Sequence, residues 1–366
     1  MNRLQSHIHL RPDRLQAWIE KFLSEYATWT SAKVYSLENR PIYILKAGKN
    51  LPKIVLWSQM HGNESTGTYA LTDLLVHLQE DHKLLGSLLD QYSIVVIPML
   101  NPDGAERFTR HNALGSDLNR EGLRTLSPET KILKDILSDE TFLAFNLHDQ
   151  RTLFSVSGTS TPATLSLLAP SSKTQQGESA RSTAIAIISK ALESLETGSR
   201  KYISRFSDEY YPQAMGEWCT DRGIATILVE CGGYYNDFHR LKSREMCFLF
   251  LKNALSALFD SGVSSQAYLT LPENSQNLRD VLLRNVPVQT PSGVTSIDLG
   301  FTAQYESASE VWAWQLDDTG DLQLKYGYTD VDLSDEDPID YQLIKPNFLY
   351  HLQDLPKNWH KWFITT

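Results

Sequence analysis

Apolar positions follow two rhythms along this chain. In the first part, runs of β-branched and aliphatic residues alternate with stretches of helical spacing. Leu15, Trp18, Ile19 and Phe22 fall at helical intervals, so residues 1–40 read as a helical or irregular cap. Residues 41–45 and 53–58 read as strands, separated by the turn-forming Gly48-Lys-Asn50. A helix-like stretch runs from Ser65 to Glu80, and residues 92–97 form a continuous apolar strand. Ser127-Pro128-Glu129 is a helix start, with serine as N-cap, proline in the first turn and an acid beside it. That helix leads into the apolar strand 141–147. An amphipathic helix ending at Glu196, a helix over 212–222, a strand over 224–229 and a helix over 238–259 follow. Strands alternating with helices in this way predict an α/β/α sandwich around a mixed, largely parallel sheet.

After about Ser261 the rhythm changes. Residues 280–284, 294–299 and 311–317 read as short strands, punctuated by Gly293, Gly320 and Gly327. The expected organisation is an N-terminal cap (1–40), an α/β domain (41–262) and a smaller β-rich C-terminal domain (263–366). The acid-rich stretch from Asp317 to Asp340 is interleaved with tyrosines and strand-like residues, and reads as a solvated face.

Composition narrows the function. The 366 residues are 41% hydrophobic and 21% charged, enough to bury a sizeable core. A formal net charge of −10 argues against a nucleic-acid partner. The first residues carry no apolar core of signal-peptide length, and no window has the length and apolarity of a membrane span. Cys219, Cys231 and Cys247 are few and odd in number, which suits a reducing compartment, so a cytoplasmic location is expected.

Three separated segments carry candidate chemistry: His61-Gly-Asn-Glu64, Asn146-Leu-His148 and Leu228-Val-Glu230. Each ends or follows an apolar strand, and in open α/β sheets ligands bind at the carboxyl ends of the strands. Imidazole nitrogens and carboxylate oxygens both suit zinc, and a three-residue offset lets two side chains converge from one turn. Alone, His-x-x-Glu is common by chance, a single strand-end histidine is more often a structural hydrogen-bonder, and Glu230 can equally be a paired structural acid.

Between the first two segments lie Asn101-Pro-Asp-Gly104, Arg110-His-Asn112 and Gly115-Ser-Asp-Leu-Asn-Arg120. With these blocks in this order, residues 53–232 resemble the zinc carboxypeptidase superfamily, with partial similarity to the aspartoacylase and succinylglutamate desuccinylase branch. The resemblance implies one zinc ion held by His61, Glu64 and His148, and water in the open position. It makes Glu230 the general base, Arg110 the stabiliser of the oxyanion, Asn119 and Arg120 the grip on a terminal carboxylate, and Asp117 the acid that orients His61. Arg107 lies close by, but spacing favours Arg110.

The departures matter too. The segment that in the digestive enzymes supplies a substrate-closing tyrosine reads Glu217-Trp-Cys-Thr-Asp-Arg-Gly-Ile224 here, with Thr220 at the tyrosine position. Tyr210, Tyr211, Tyr234 and Tyr235 remain as substitutes. The resemblance assigns no role to Arg151, beside the third ligand; pairing with Asp149 and recognition of an acidic side chain both stay open. Two substrate classes satisfy the pattern: a small peptide cut at its C-terminal amide, which the Asn-Pro-Asp-Gly and Arg-x-Asn blocks favour, or an N-acyl amino acid. A non-catalytic binding module would need a lost ligand or base, and none is missing.

Overall fold

The computed structural model describes residues 3–49, 52–260 and 266–363. They divide into two compact units: Met1–Arg151 with Thr164–Asn274, and Thr152–Ala163 with Ser275–Thr366.

The first unit is built on an eight-stranded mixed sheet. Its strands are β1 (Trp29–Tyr35), β2 (Pro41–Ala47), β3 (Lys53–Trp57), β4 (Ser93–Ile97), β5 (Thr141–Asp149), β7 (Leu165–Leu168), β8 (Ile203–Arg205) and β9 (Ala225–Cys231), with the two-residue β6 (Ser155–Val156) falling in the other unit. The spatial order is β1-β2-β4-β3-β5-β9-β7-β8. The central strands β4, β3, β5 and β9 run parallel, and antiparallel pairs flank them on both sides. Helices α1 (Pro12–Glu25), α2 (Thr66–Glu80), α3 (His82–Gln91), α4 (Pro102–Arg107), α5 (Pro128–Ile136), α6 (Gln175–Glu193), α7 (Thr197–Arg200), α8 (Met215–Thr220), α9 (Leu241–Ser256) and α10 (Gln266–Leu269) belong to the same unit.

Alternation along the strands sends side chains into two separate cores, the signature of a sheet covered on both faces. Ile54, Leu56, Ile94, Val96, Leu143, Phe145, Leu147, Ile227 and Val229 join one core with α2, α6 and α9. Val55, Trp57, Val95, Ile97 and Ala144 join the other with Leu118, Leu133, Met215 and Trp218. The parity has a direct consequence for chemistry. His148 shares its face with Ala144, and Glu230 lies on that same side of β9, opposite to Val229.

Several local expectations change. Among the described residues of the stretch read as a cap, 12–25 are helical. Trp29–Tyr35 is an edge strand paired along its whole length with β2, and its mostly exposed side chains leave no apolar alternation to read. The motif loop contains a short helix, α4, and α3 precedes β4. The helix expected over 238–259 begins at Leu241, after Arg240 takes the left-handed conformation, and the helix expected over 212–222 is limited to Met215–Thr220. Ser127 stands at the N-cap of α5 but caps nothing with its side chain; its hydroxyl donates to Glu121 and accepts from the Asn112 amide instead.

α2 is buried on almost every side. Its Asp73 receives a two-pronged ion pair from Arg244 of α9, at 2.7 and 2.6 Å, which satisfies both charges inside the core.

In the second unit, strands Leu278–Thr290, Gly293–Glu306 and Val311–Gly320 form an antiparallel meander. Tyr326–Asp332 adds to it in parallel, and the short Leu349–Tyr350 closes the other edge. Phe301, Trp314 and Phe363 pack edge-to-face at its centre.

Candidate metal centre and active site

Two loops at the carboxyl edge of the sheet are locked backbone against backbone. β3 ends at Trp57, and Gln59 takes a positive φ of 46° that turns the chain towards His61. After β4, the Asn101 side chain accepts from Gly104 N–H at 2.8 Å and donates to Met60 O at 3.2 Å. A Cβ on Gly62 would lie 2.0 Å from the Gly104 carbonyl carbon, and one on Gly104 would lie 2.6 Å from His111 O. Only glycine permits that approach. Asp103 accepts from Ser36, Arg40 and Glu38 N–H. The Asn-Pro-Asp-Gly block therefore holds the loop bearing His61 and Glu64 in place, and takes no direct part in the centre.

The resulting cluster is compact. His61 Nδ1 lies 2.9 Å from Glu64 Oε1, His148 Nδ1 lies 2.9 Å from Glu64 Oε2, and the two Nδ1 atoms are 3.1 Å apart. All three side chains are buried, and among the described residues they form the one group arranged to hold a metal ion. These separations approach the roughly 3.4 Å edge of a tetrahedron built on Zn–N bonds of about 2.1 Å. Two imidazole nitrogens facing each other at hydrogen-bond distance cannot both be donors, but both can be ligands. His61 presents its other nitrogen, Nε2, to Asp117 Oδ1 at 2.9 Å, which fixes the tautomer that leaves Nδ1 free to bind metal. The residues thus fit zinc, with His61, Glu64 and His148 as its holders.

Electrostatics agree. Burial alone would lower the His61 pKa, yet the charge of Glu64 and the hydrogen bonds from Asp117 and Glu64 raise it to about 9. Burial likewise opposes the ionised forms of Glu64 and Asp117, but their histidine partners hold both well below the usual carboxylate range. The cluster draws positive charge, and a metal ion satisfies that demand better than a proton. His148 is shifted down by burial, which keeps it neutral and available as a ligand.

Glu230 pairs in register with His148 across β5 and β9, so its carboxylate emerges beside the imidazole on the same face. Burial, then the negative charge of Glu64, pushes its pKa well above the ordinary value; a bound cation acts against that shift. Arg110 reaches the centre from the motif loop, with Nε donating to Asp117 at 3.0 Å and Nη1 lying 3.3 Å from Glu64 Oε1. Arg107 turns away to Glu38 and Asp103 O. Asn112 is a loop clamp, accepting from Leu114 and Ser116 N–H and donating to Ser127 and Glu129.

Asn119 is buried, its Oδ1 accepting from Met215 N–H at 2.9 Å, and Arg120 is steadied by donating to Asn119 O. The Arg120 guanidinium stands 4.7 Å above the ring of the exposed Tyr211. Thr220 is fully buried and donates to Gly216 O, so it faces no substrate. Tyr210 donates to Asp221, and Tyr234 packs on Tyr202. Of the four tyrosines, Tyr211 is the one set beside Arg120. Its signal in the sequence was only proximity to Pro212 and the Trp218 segment, too weak to select it. Arg151 makes no ion pair with Asp149; its guanidinium lies 5.2 Å from the ring of Phe108.

Comparison with known proteins agrees with this geometry. Residues 15–124 match the zinc carboxypeptidase family, Peptidase_M14. Carboxypeptidase 2 of Trichophyton equinum is 30% identical over 125 residues, covering 31% of this chain and 23% of that protein. Carboxypeptidase D of Mus musculus is 36% identical over 105 residues, covering 25% of this chain and 8% of its own. The chain therefore spans less than a quarter of the length of these relatives. In fold it is similar to a metallo-carboxypeptidase from Burkholderia cenocepacia (TM-score 0.54, 18% identity, 67% of this chain and 68% of the other). It is similar as well to carboxypeptidase A from Helicoverpa armigera (TM-score 0.53, 16% identity, 72% and 76%).

Proposed function

We propose that this chain, which carries the zinc carboxypeptidase match over residues 15–124 and the fold of that family, is a zinc-dependent metallocarboxypeptidase that hydrolyses the C-terminal amide bond of a small peptide or peptide-like substrate. The observation that carries the reading is the convergence of His61, Glu64 and His148, with Glu230 in register beside His148. The domain over residues 41–262 is the catalytic unit in this reading, together with the helix and edge strand before it, and residues 263–366 form an accessory β domain.

Bound zinc supplies Lewis acidity that makes water nucleophilic near neutral pH. Glu230 takes the proton from that water and passes it to the departing amine, so one carboxylate serves as base and then as acid. Arg110, tethered by Asp117, donates to the oxygen on which negative charge develops. Arg120 and Asn119 hold the terminal carboxylate, the planar guanidinium matching its two oxygens. Tyr211, stacked on Arg120, closes over the bound residue. A cytoplasmic setting accords with three free, buried cysteines, and no helix among the described residues is long and apolar enough to cross a membrane.

The test is a hydrolysis screen on zinc-loaded protein, pairing short peptides, including acidic, γ-linked and D-amino-acid ones, with N-acetyl and N-succinyl amino acids. Peptides are expected to be cut, with Arg120→Ala raising KM about tenfold or more. Cleavage confined to simple N-acyl amino acids would overturn the reading in favour of the acylase alternative.

A further inference from the structure

Next to the metal centre, on the side of the N-terminal segment, lies a cleft open to solvent whose enclosed room is about 10 Å³, roughly one water. Its wall includes Ser65, Thr66, Asp149, Arg151, Arg240 and Arg244. Three guanidiniums meet there, and they are not equivalent. Arg244 is neutralised by Asp73, which also receives Arg3 at 3.5 Å. Arg240 spends its donors on two backbone carbonyls, Cys231 O at 2.9 Å and Gln150 O at 2.7 Å. Among the described residues, the Arg151 guanidinium has the face of Phe108 as its contact. Among the described residues, neither Arg151 nor Arg240 forms an ion pair with a carboxylate. The nearby acid, Asp149, places Oδ2 on Thr66, accepting from its N–H at 3.1 Å and its Oγ1 at 2.8 Å, while its Oδ1 is buried without a hydrogen-bond partner among the described residues and makes no ion pair with Arg151 or Arg240. His7 and His239 also line the pocket and add no negative charge.

Arg151 and Arg240 are half-buried, and a guanidinium partly withdrawn from water without a counter-ion loses solvation that a ligand of opposite charge would restore. Burial and the neighbouring Arg240 together lower the Arg151 pKa to about 10, which marks the same shortage of negative charge. Asp149 and Glu64 act on Arg151 in the opposite sense, but Glu64 is engaged by His61 and His148 and neither acid pairs with the guanidinium, which is left for a ligand.

We propose that this pocket binds an oxyanion, a carboxylate or a tetrahedral phosphate, with Arg151 as its principal donor. The oxyanion comes either from an acidic side chain on the acyl side of the substrate or from a free anion that occupies the site independently of catalysis. Only the first source rests on the peptidase reading.

Two measurements separate these. The zinc-loaded protein is titrated with inorganic phosphate by calorimetry at constant ionic strength, alongside Arg151→Gln and Arg151→Lys. Saturable binding is expected, weakened tenfold or more in Arg151→Gln and largely kept in Arg151→Lys, with thermal melting confirming that both variants fold. Phosphate binding that survives unchanged in Arg151→Gln, or is absent from the native protein together with any preference for acidic peptides, overturns the proposal. The kinetic arm compares kcat/KM for N-acetyl peptides with glutamate or glutamine before the scissile bond. A preference for glutamate of about tenfold that disappears in Arg151→Gln identifies the substrate side chain. Phosphate binding with no such preference identifies a free anion. If no peptide is cut while phosphate still binds through Arg151, the peptidase reading fails and the pocket stands.

Discussion

Asp117 bridges His61, a metal holder, and Arg110, the arginine proposed to stabilise the oxyanion, so replacing it tests how the centre is organised. Oδ1 accepts from His61 Nε2 at 2.9 Å and from Asn119 N–H at 2.9 Å, while Oδ2 accepts from Arg110 Nε at 3.0 Å. In Asp117→Asn one acceptor becomes a donor. If the amide oxygen stays with His61 and Asn119, the NH₂ group confronts the Nε–H of Arg110. If the amide flips, it confronts His61 and favours the wrong tautomer. Loss of an outer partner to a metal-binding histidine typically lowers metal affinity by about 10- to 100-fold, or roughly 1.4–2.7 kcal/mol. The charge removed also stabilises Arg110, so kcat at saturating zinc should fall as well. Zinc affinity would be measured by competition with a chromophoric chelator, and kcat/KM across zinc concentrations, with a melting curve to exclude unfolding. A dissociation constant within about threefold of the native value, with kcat intact, would show that His61 is oriented by other means.

Glu230→Gln should retain stoichiometric zinc yet lose most hydrolytic activity, because an amide cannot accept the proton from water; His148→Ala should instead weaken zinc binding itself, and metal analysis beside turnover distinguishes the two. Near-normal turnover in Glu230→Gln would remove it from its assigned role. Glu217, only 5% exposed, tests pH linkage. Burial raises its pKa to about 7 in the folded protein, from the ordinary 4.5. The folded state therefore holds the proton more tightly, and the associated stability is fully present below pH 4.5 and lost as pH rises through 7. The full shift corresponds to about 3 kcal/mol, so Glu217→Gln should raise the melting temperature at pH 8 by several degrees and change it little at pH 4. Equal effects at both pH values would refute the linkage.

Much of this site was legible in the order of residues along the chain. The turn after a strand placed His61 beside Glu64, and apolar runs ending in His148 and Glu230 put both at the carboxyl edge of a sheet. Periodicity and turn chemistry are local properties, and the chain carries them openly. The α/β/α layering follows from the same rhythm, since strands apolar on both faces must be covered on both faces. Trp29–Tyr35 escaped because a largely exposed edge strand has no buried side to mark it.

Lateral relationships belonged to the tertiary structure alone. His148 and Glu230 are neighbours because β5 and β9 pair in one register; a slip of one residue would send Glu230 to the opposite face. Arg110 and Arg107 have the same chemistry and lie three residues apart, yet the turn after α4, where Phe108 adopts φ 55°, sends one to the metal centre and the other to Glu38. Tyr211 beside Arg120, and the unneutralised Arg151 near Arg240, join segments that spacing never relates. A sequence records which groups follow one another at fixed intervals. Which charges find partners across the sheet, and which are left without one, is decided by long-range packing.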